Sequence, residues 1–164
     1  MITMKKFIIL SSLCLLFFSC NKKQEKSEET IPTETQEIMI PKSNCFASLS
    51  DKDSIWLKIE VFPNVATGIL KYQLSEKDRN TGTLEGVFEG NKLYANYTFI
   101  SEGVESVREV AFMINDDTAI EGFGEMEEVN GKMVFKDKTK IDFSKGIKFT
   151  QINCVDNDIQ FQIN

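Results

Sequence analysis

The sequence predicts an all-β domain, an antiparallel meander that closes into a small barrel of eight or nine strands. Three observations predict it. Apolar residues recur with a period of two along several stretches, and no stretch of twelve makes an amphipathic helix. Turn-forming residues punctuate these stretches every eight to twelve positions. Short strands joined by short turns leave exposed edges unless the sheet closes on itself.

The expected strands cover 44–49, 54–62, 67–74, 82–89, 92–101, 106–114, 118–128, 131–136 and 147–154. Alternation is clearest in three of them. Ile55, Leu57, Ile59 and Val61 alternate with Trp56, Lys58, Glu60 and Phe62. Leu93, Ala95, Tyr97 and Phe99 alternate with Tyr94, Asn96, Thr98 and Ile100. Arg108, Val110, Phe112 and Ile114 alternate with Val107, Glu109, Ala111 and Met113. The breaks fall at Ser50 to Asp53, Pro63-Asn64, Glu76 to Gly82, Gly90-Asn91, Ser101 to Glu105, Asn115 to Asp117 and Asn130-Gly131. Asn-Gly favours a tight type I′ hairpin. Gly68, Gly82, Gly86, Gly122 and Gly124 fall within strands or at their ends, where they permit coiling or bulges. Trp56 and Phe62 lie opposite the Ile55–Val61 face. They are either covered by the apolar patch Ile38-Met39-Ile40 or left as a contact surface. The tail, 155–164, alternates weakly and is expected to add an edge strand or to be loose.

The chain before this domain reads as an address. Lys5 and Lys6 form a positive start. Phe7 to Phe18 is an uncharged, mostly apolar stretch of twelve residues. As a helix it would span about 18 Å, too short for a hydrocarbon core of roughly 30 Å. That length suits a signal peptide. The stretch runs into Ser19-Cys20, which resembles the lipobox of bacterial lipoprotein precursors. Leu16 sits one place early, and Phe17 and Phe18 stand where Leu and a small residue are commoner. The resemblance implies cleavage before Cys20, lipid on that cysteine and membrane residence. Asn21, rather than Asp, points to the outer membrane under the Gram-negative sorting rule, with the periplasmic or surface-facing side left open. Residues 1–19 are thus the expected leader and 20–43 a charged, Thr-rich tether unable to fold alone. Residues 44–154 are the expected barrel and 155–164 a tail.

Loss of Lys5 and Lys6 with the leader takes the 19 basic residues to 17 against 25 acidic ones, a net of −8. That balance argues against a nucleic-acid partner and leaves membrane attachment to the lipid. With Cys14 in the leader and Cys20 lipidated, Cys45 and Cys154 remain. In an oxidising compartment they are expected to pair, the alternative being two buried thiols. Pairing needs their Cα atoms within about 7 Å. A ninth strand after a simple hairpin would put them at opposite ends. Either residues 137–146 cross the end of the barrel, or two of the runs form one bent strand. The length of 137–146 favours the crossing.

The chain has no histidine. That excludes Ser-His-Asp and Cys-His nucleophiles and His-liganded metal sites. No phosphate-binding glycine loop and no calcium loop occur. No catalytic residue, metal or cofactor is expected, and the protein is read as a non-enzyme. Only two of the nineteen basic residues are arginine, Arg79 and Arg108. Arginine suits planar recognition of carboxylate or phosphate. In a meander the connections after the first, third and fifth strands emerge at one end. Glu76, Asp78, Arg79, Asn80, Ser101, Glu102, Ser106, Arg108 and Glu109 therefore form a candidate binding rim. Its expected partner is an envelope protein or a small anionic ligand; structural ion pairs are the plainer alternative.

In architecture, residues 44–154 resemble the small lipocalin-like barrels of envelope lipoproteins. The resemblance implies a fold and not a ligand. A second resemblance is to the lipoprotein lysozyme inhibitors, which share the anchor, a small barrel and a disulfide. Their Ser-Gly loop is matched loosely by Ser101-Glu102-Gly103. It implies an inhibitor of a periplasmic enzyme. The third class is a carboxylate hydrolase, for which the sequence fixes no pair of acids at working distance.

Overall fold

The computed structural model describes residues 41–63, 65–75, 79–101 and 103–163. The leader, Cys20, residues 21–40, Glu76, Asp78 and Glu102 lie outside them. Ten strands follow in order: β1 Lys42–Leu49, β2 Ser54–Val61, β3 Ala66–Gln73, β4 Asn80–Glu89, β5 Lys92–Ser101, β6 Val104–Asn115, β7 Thr118–Gly122, β8 Met126–Val129, β9 Lys132–Phe135 and β10 Lys148–Ile152. Eight of them close an antiparallel barrel in the order β1-β2-β3-β4-β5-β6-β7-β10 and back to β1. β8 and β9 form a hairpin attached to β6 from outside this ring. The expected all-β meander and its closure are both present, with eight strands in the wall.

The period of two does what it promised. Leu57 and Ile59, Leu93, Ala95 and Tyr97, and Val110 and Phe112 all point inward, where they meet Phe46, Leu70, Leu84 and Phe149. The wall coils tightly enough that a Cβ on Gly86 would run into the Tyr94 carbonyl of the next strand. At the β8–β9 turn both Asn130 and Gly131 have positive φ, 52° and 78°, as a type I′ turn requires.

Four expectations change. β1 begins at Lys42, so Lys42 and Ser43 belong to the barrel and not to the tether. The run expected over 118–128 is two strands, because the chain leaves the wall at Phe123 to Glu125. Residues 137–146 do return the chain so that β10 runs in the direction of β9, but over the outer face of the wall and not across its end. There Phe135 and Ile141, with Met126 and Phe143 beside them, cover Tyr94 and Ala111 in a second small core. Gly122 makes the covering possible, since a Cβ there would lie 2.5 Å from Ile141 and 2.6 Å from Phe143. Finally, the described part of the tail, 155–163, adds no edge strand. A single 3₁₀ turn, Asp158–Phe161, seats the buried Phe161 edge-on against Trp56, ring centres 6.3 Å apart. Trp56 is thus covered from the C-terminal side, and Ile38 to Ile40 lie outside the described residues.

Cys45 and Cys154 form a disulfide, Cα atoms 5.3 Å apart. It ties the start of β1 to the chain just after β10, which are the strands that close the ring.

Candidate functional site

The site is built where the ladder between β6 and β7 stops. These strands pair from Asn115↔Thr118 to Ala111↔Gly122. Beyond that, β7 turns away and β6 pairs instead with β9, in parallel, at Val107↔Lys132 and Arg108↔Met133. A cavity of about 60 Å³ lies in the gap, lined among others by Arg108, Glu121, Gly122, Phe123, Met126 and Phe135. That is on the order of two waters' share of liquid volume.

Two ionisable side chains face each other there. Arg108 shares the inner face of β6 with Val110 and Phe112, and is paired directly with Tyr97 on β5. Its guanidinium sits among three rings, 5.3 Å from the centre of Tyr72, 5.5 Å from Tyr97 and 5.7 Å from Phe99. The ring faces attract the cation and fix its plane. Glu121, on the inner face of β7, is only 4% exposed, and it is the one charged residue among the buried side chains described. The Tyr72 hydroxyl donates to its Oε1 at 2.6 Å. Burial raises the Glu121 pKa, opposed by the Tyr72 hydrogen bond and the Arg108 charge. Burial also raises both tyrosines, with Arg108 pulling them back. Both phenols therefore stay protonated at neutral pH and serve as donors.

The cluster is not self-satisfied. Arg108 Nε, the Tyr97 hydroxyl, Glu121 Oε2 and Asn80 Oδ1 are buried and have no hydrogen-bond partner among the described residues. Asn80 faces inward beside this group, being paired with Tyr72 across β3 and β4. Buried polar atoms without partners are uncommon and costly in native proteins, so each requires an explanation. Bound water or a ligand supplies one.

The expected rim is divided by the barrel wall. Asn80, Ser106 and Arg108 take positions on the inner face. Arg79 is exposed on the outside, next to the start of β4. Arg108 therefore does not sit on the rim, and Glu109, which points the opposite way, is not its partner. Glu109 ties down the outer hairpin: its carboxylate accepts from the Phe135 amide at 2.9 Å and meets Lys138 Nζ at 3.1 Å. Ser101 pairs with Val104 at the hairpin tip, where Ile100 and Val104 are 54% and 65% exposed. Tyr72, Tyr97 and Glu121 were missed by sequence reasoning. The alternation of Arg108 with Val110, Phe112 and Ile114 was a signal for an inward-facing arginine, but loop position outweighed it. Glu121 has no such signal, since the run containing it is broken two residues later.

Among the described residues, no group of three or more acidic or cysteine side chains is placed to hold a metal ion. No helix among them is long and apolar enough to cross a membrane. No protein-family model, curated protein or solved structure matches the chain significantly.

Proposed function

We propose that the chain is a lipid-anchored, non-enzymatic envelope lipoprotein whose barrel binds a ligand or partner at the end bearing the β1–β2, β3–β4 and β5–β6 connections. The observation that carries the binding is the polar cluster of Arg108, Tyr97 and Glu121 at that end of an otherwise apolar interior. A barrel held together by Phe46, Leu57, Leu70, Phe112 and Phe149 has no need of a buried glutamate beside a half-buried arginine. The Lys5-Lys6 start, the apolar Phe7 to Phe18 stretch and Ser19-Cys20 support the anchor. The outer membrane is the proposed location. About 20 residues separate Cys20 from Pro41 and span at most roughly 70 Å when extended, enough to hold the barrel clear of the lipid.

A second reading is a protein inhibitor of a periplasmic enzyme. The exposure of Ile100 and Val104 near the tip of the β5–β6 hairpin favours it, since exposed apolar groups at a hairpin end suit insertion into a partner's cleft.

Two experiments test these readings. Palmitate labelling is expected for the wild type and absent for Cys20→Ala; labelling of both, or of neither, rejects the anchor. Capture from envelope extract by the full-length chain is expected to fall with Arg79→Ala and Tyr97→Phe if the rim and cluster bind. Loss with Ile100→Ser and Val104→Ser, but not with those two, selects the inhibitor reading.

A further inference from the structure

We propose that the space between Arg108, Tyr97 and Glu121 is a binding site for a small neutral amide group, entered through the gap between β6 and β7. The inference rests on the binding-module reading and names the chemistry of its ligand.

The argument is one of matching donors to acceptors. On one side stand two donors, Arg108 Nε–H and the Tyr97 hydroxyl. On the other stands an acceptor, Glu121 Oε2, whose companion Oε1 is already taken by Tyr72. A ligand must present an acceptor to the first pair and a donor to the second. A carboxylate offers acceptors alone and would face Glu121 unfavourably. An ammonium offers donors alone and would face Arg108. An amide carries both, a carbonyl oxygen and an N–H on neighbouring atoms in one plane, and adds no charge to a buried site.

The site is held ready for such a group. Three aromatic rings fix the guanidinium, and the Tyr72 hydrogen bond fixes the carboxylate. Arg108 and Glu121 form no ion pair within 4.0 Å, although both line the same cavity. A simple structural salt bridge would have closed that distance. The cavity of about 60 Å³ suits a primary carboxamide or the edge of a larger amide whose remainder extends outward past Phe123. Phe123 at its mouth is 49% exposed, and the side chains of Met126 and Phe135 line the way in.

The test is an NMR titration of the full-length, ¹⁵N-labelled chain in detergent at pH 7 with acetamide, and separately with acetate. Acetamide is expected to give saturable shifts at the amides of Arg108, Gly122 and Phe123, with a dissociation constant in the millimolar range for so small a probe. Acetate is expected to give none at these positions. Glu121→Gln presents a donor where the ligand's N–H points, and is expected to weaken acetamide binding by about tenfold or more. Tyr97→Phe removes one donor without changing shape and is expected to weaken it several-fold. Absence of saturable shifts with acetamide overturns the proposal and leaves water as the occupant. Acetate binding at least as tight as acetamide overturns it too, as do unchanged affinities in both variants. If Glu121→Gln does not fold, Tyr97→Phe decides alone. Failure here with Arg79-dependent capture intact removes the amide site and keeps the rim reading; failure of both removes the rim reading as well.

Discussion

The two halves of the barrel wall differ in regularity. From β2 to β5 each strand pairs with the next along nearly its whole length, as in Ser54↔Gln73 through Val61↔Ala66, and the inward side chains are apolar below Tyr72 and Asn80. From β6 to β10 the pairing is interrupted. β6 changes partner between Ala111 and Arg108, a hairpin lies outside the ring, and β10 reaches β7 only over Lys148 to Thr150. Glu121, Arg108 and the cavity they line belong to the interrupted half. A continuous ladder fills its own interior with alternating apolar residues, whereas a break leaves a gap that polar side chains can face.

The comparison can be broken hardest at the seam. If the interrupted half depends on the Cys45–Cys154 link, its removal costs most. On the chain-entropy account a bridge spanning 109 residues contributes at most about 4–5 kcal/mol. The double variant Cys45→Ser, Cys154→Ser is expected to lose a large part of this in urea denaturation. Hydrogen exchange should rise first in β10 and β1, and only later in β3 and β4. Equal exchange in all four strands would show that the two halves unfold as one unit.

A smaller effect tests the outer hairpin. Glu109→Ala removes the acceptor of the Phe135 amide and the partner of Lys138. A charge-assisted hydrogen bond of this kind contributes about 1.5 kcal/mol, and the half-exposed Lys138 adds little. Faster exchange confined to residues 126–135 is the expected signature. A uniform loss across the barrel would make the hairpin part of the main core.

The smallest effect is a dependence on pH. Burial raises the Glu121 pKa above its ordinary 4.5, so the folded state holds this proton more tightly than the unfolded chain. Its contribution favours folding below that value and is lost as pH rises through the raised one. Against Glu121→Gln, the wild type is therefore expected to lose stability progressively as pH rises above 4.5 and through the raised pKa, measured by urea denaturation. A constant difference over that range would mean that Arg108 and Tyr72 keep the carboxylate ionised throughout.

The regular half was legible because each of its strands declares itself locally. Leu57 and Leu93 alternate with polar or outward residues within a window of a few positions; in the other half Phe112 does the same, and Asn130-Gly131 needs only its own backbone to make a turn. The candidate rim was half legible. Topology placed the β3–β4 and β5–β6 connections at one end, but could not say that Arg108 turns inside while Arg79 stays outside. That depends on Tyr72, Tyr97 and Phe99 arriving from two other strands to receive the cation.

What the sequence determined by itself was the class of fold, the closure implied by so many short strands, the cysteines able to pair, and the exclusion of histidine chemistry. These follow from composition, spacing and short-range pattern. What only the tertiary structure decided was the break after Gly122, the return of 136–147 over the outer face, and the meeting of Arg108 with Glu121. The first two depend on Ile141 and Phe143 finding space against a glycine about twenty residues earlier, and the third is completed by Tyr72, which reaches both side chains from β3 only when the ring closes. No local pattern encodes a contact whose partners are brought together by closure.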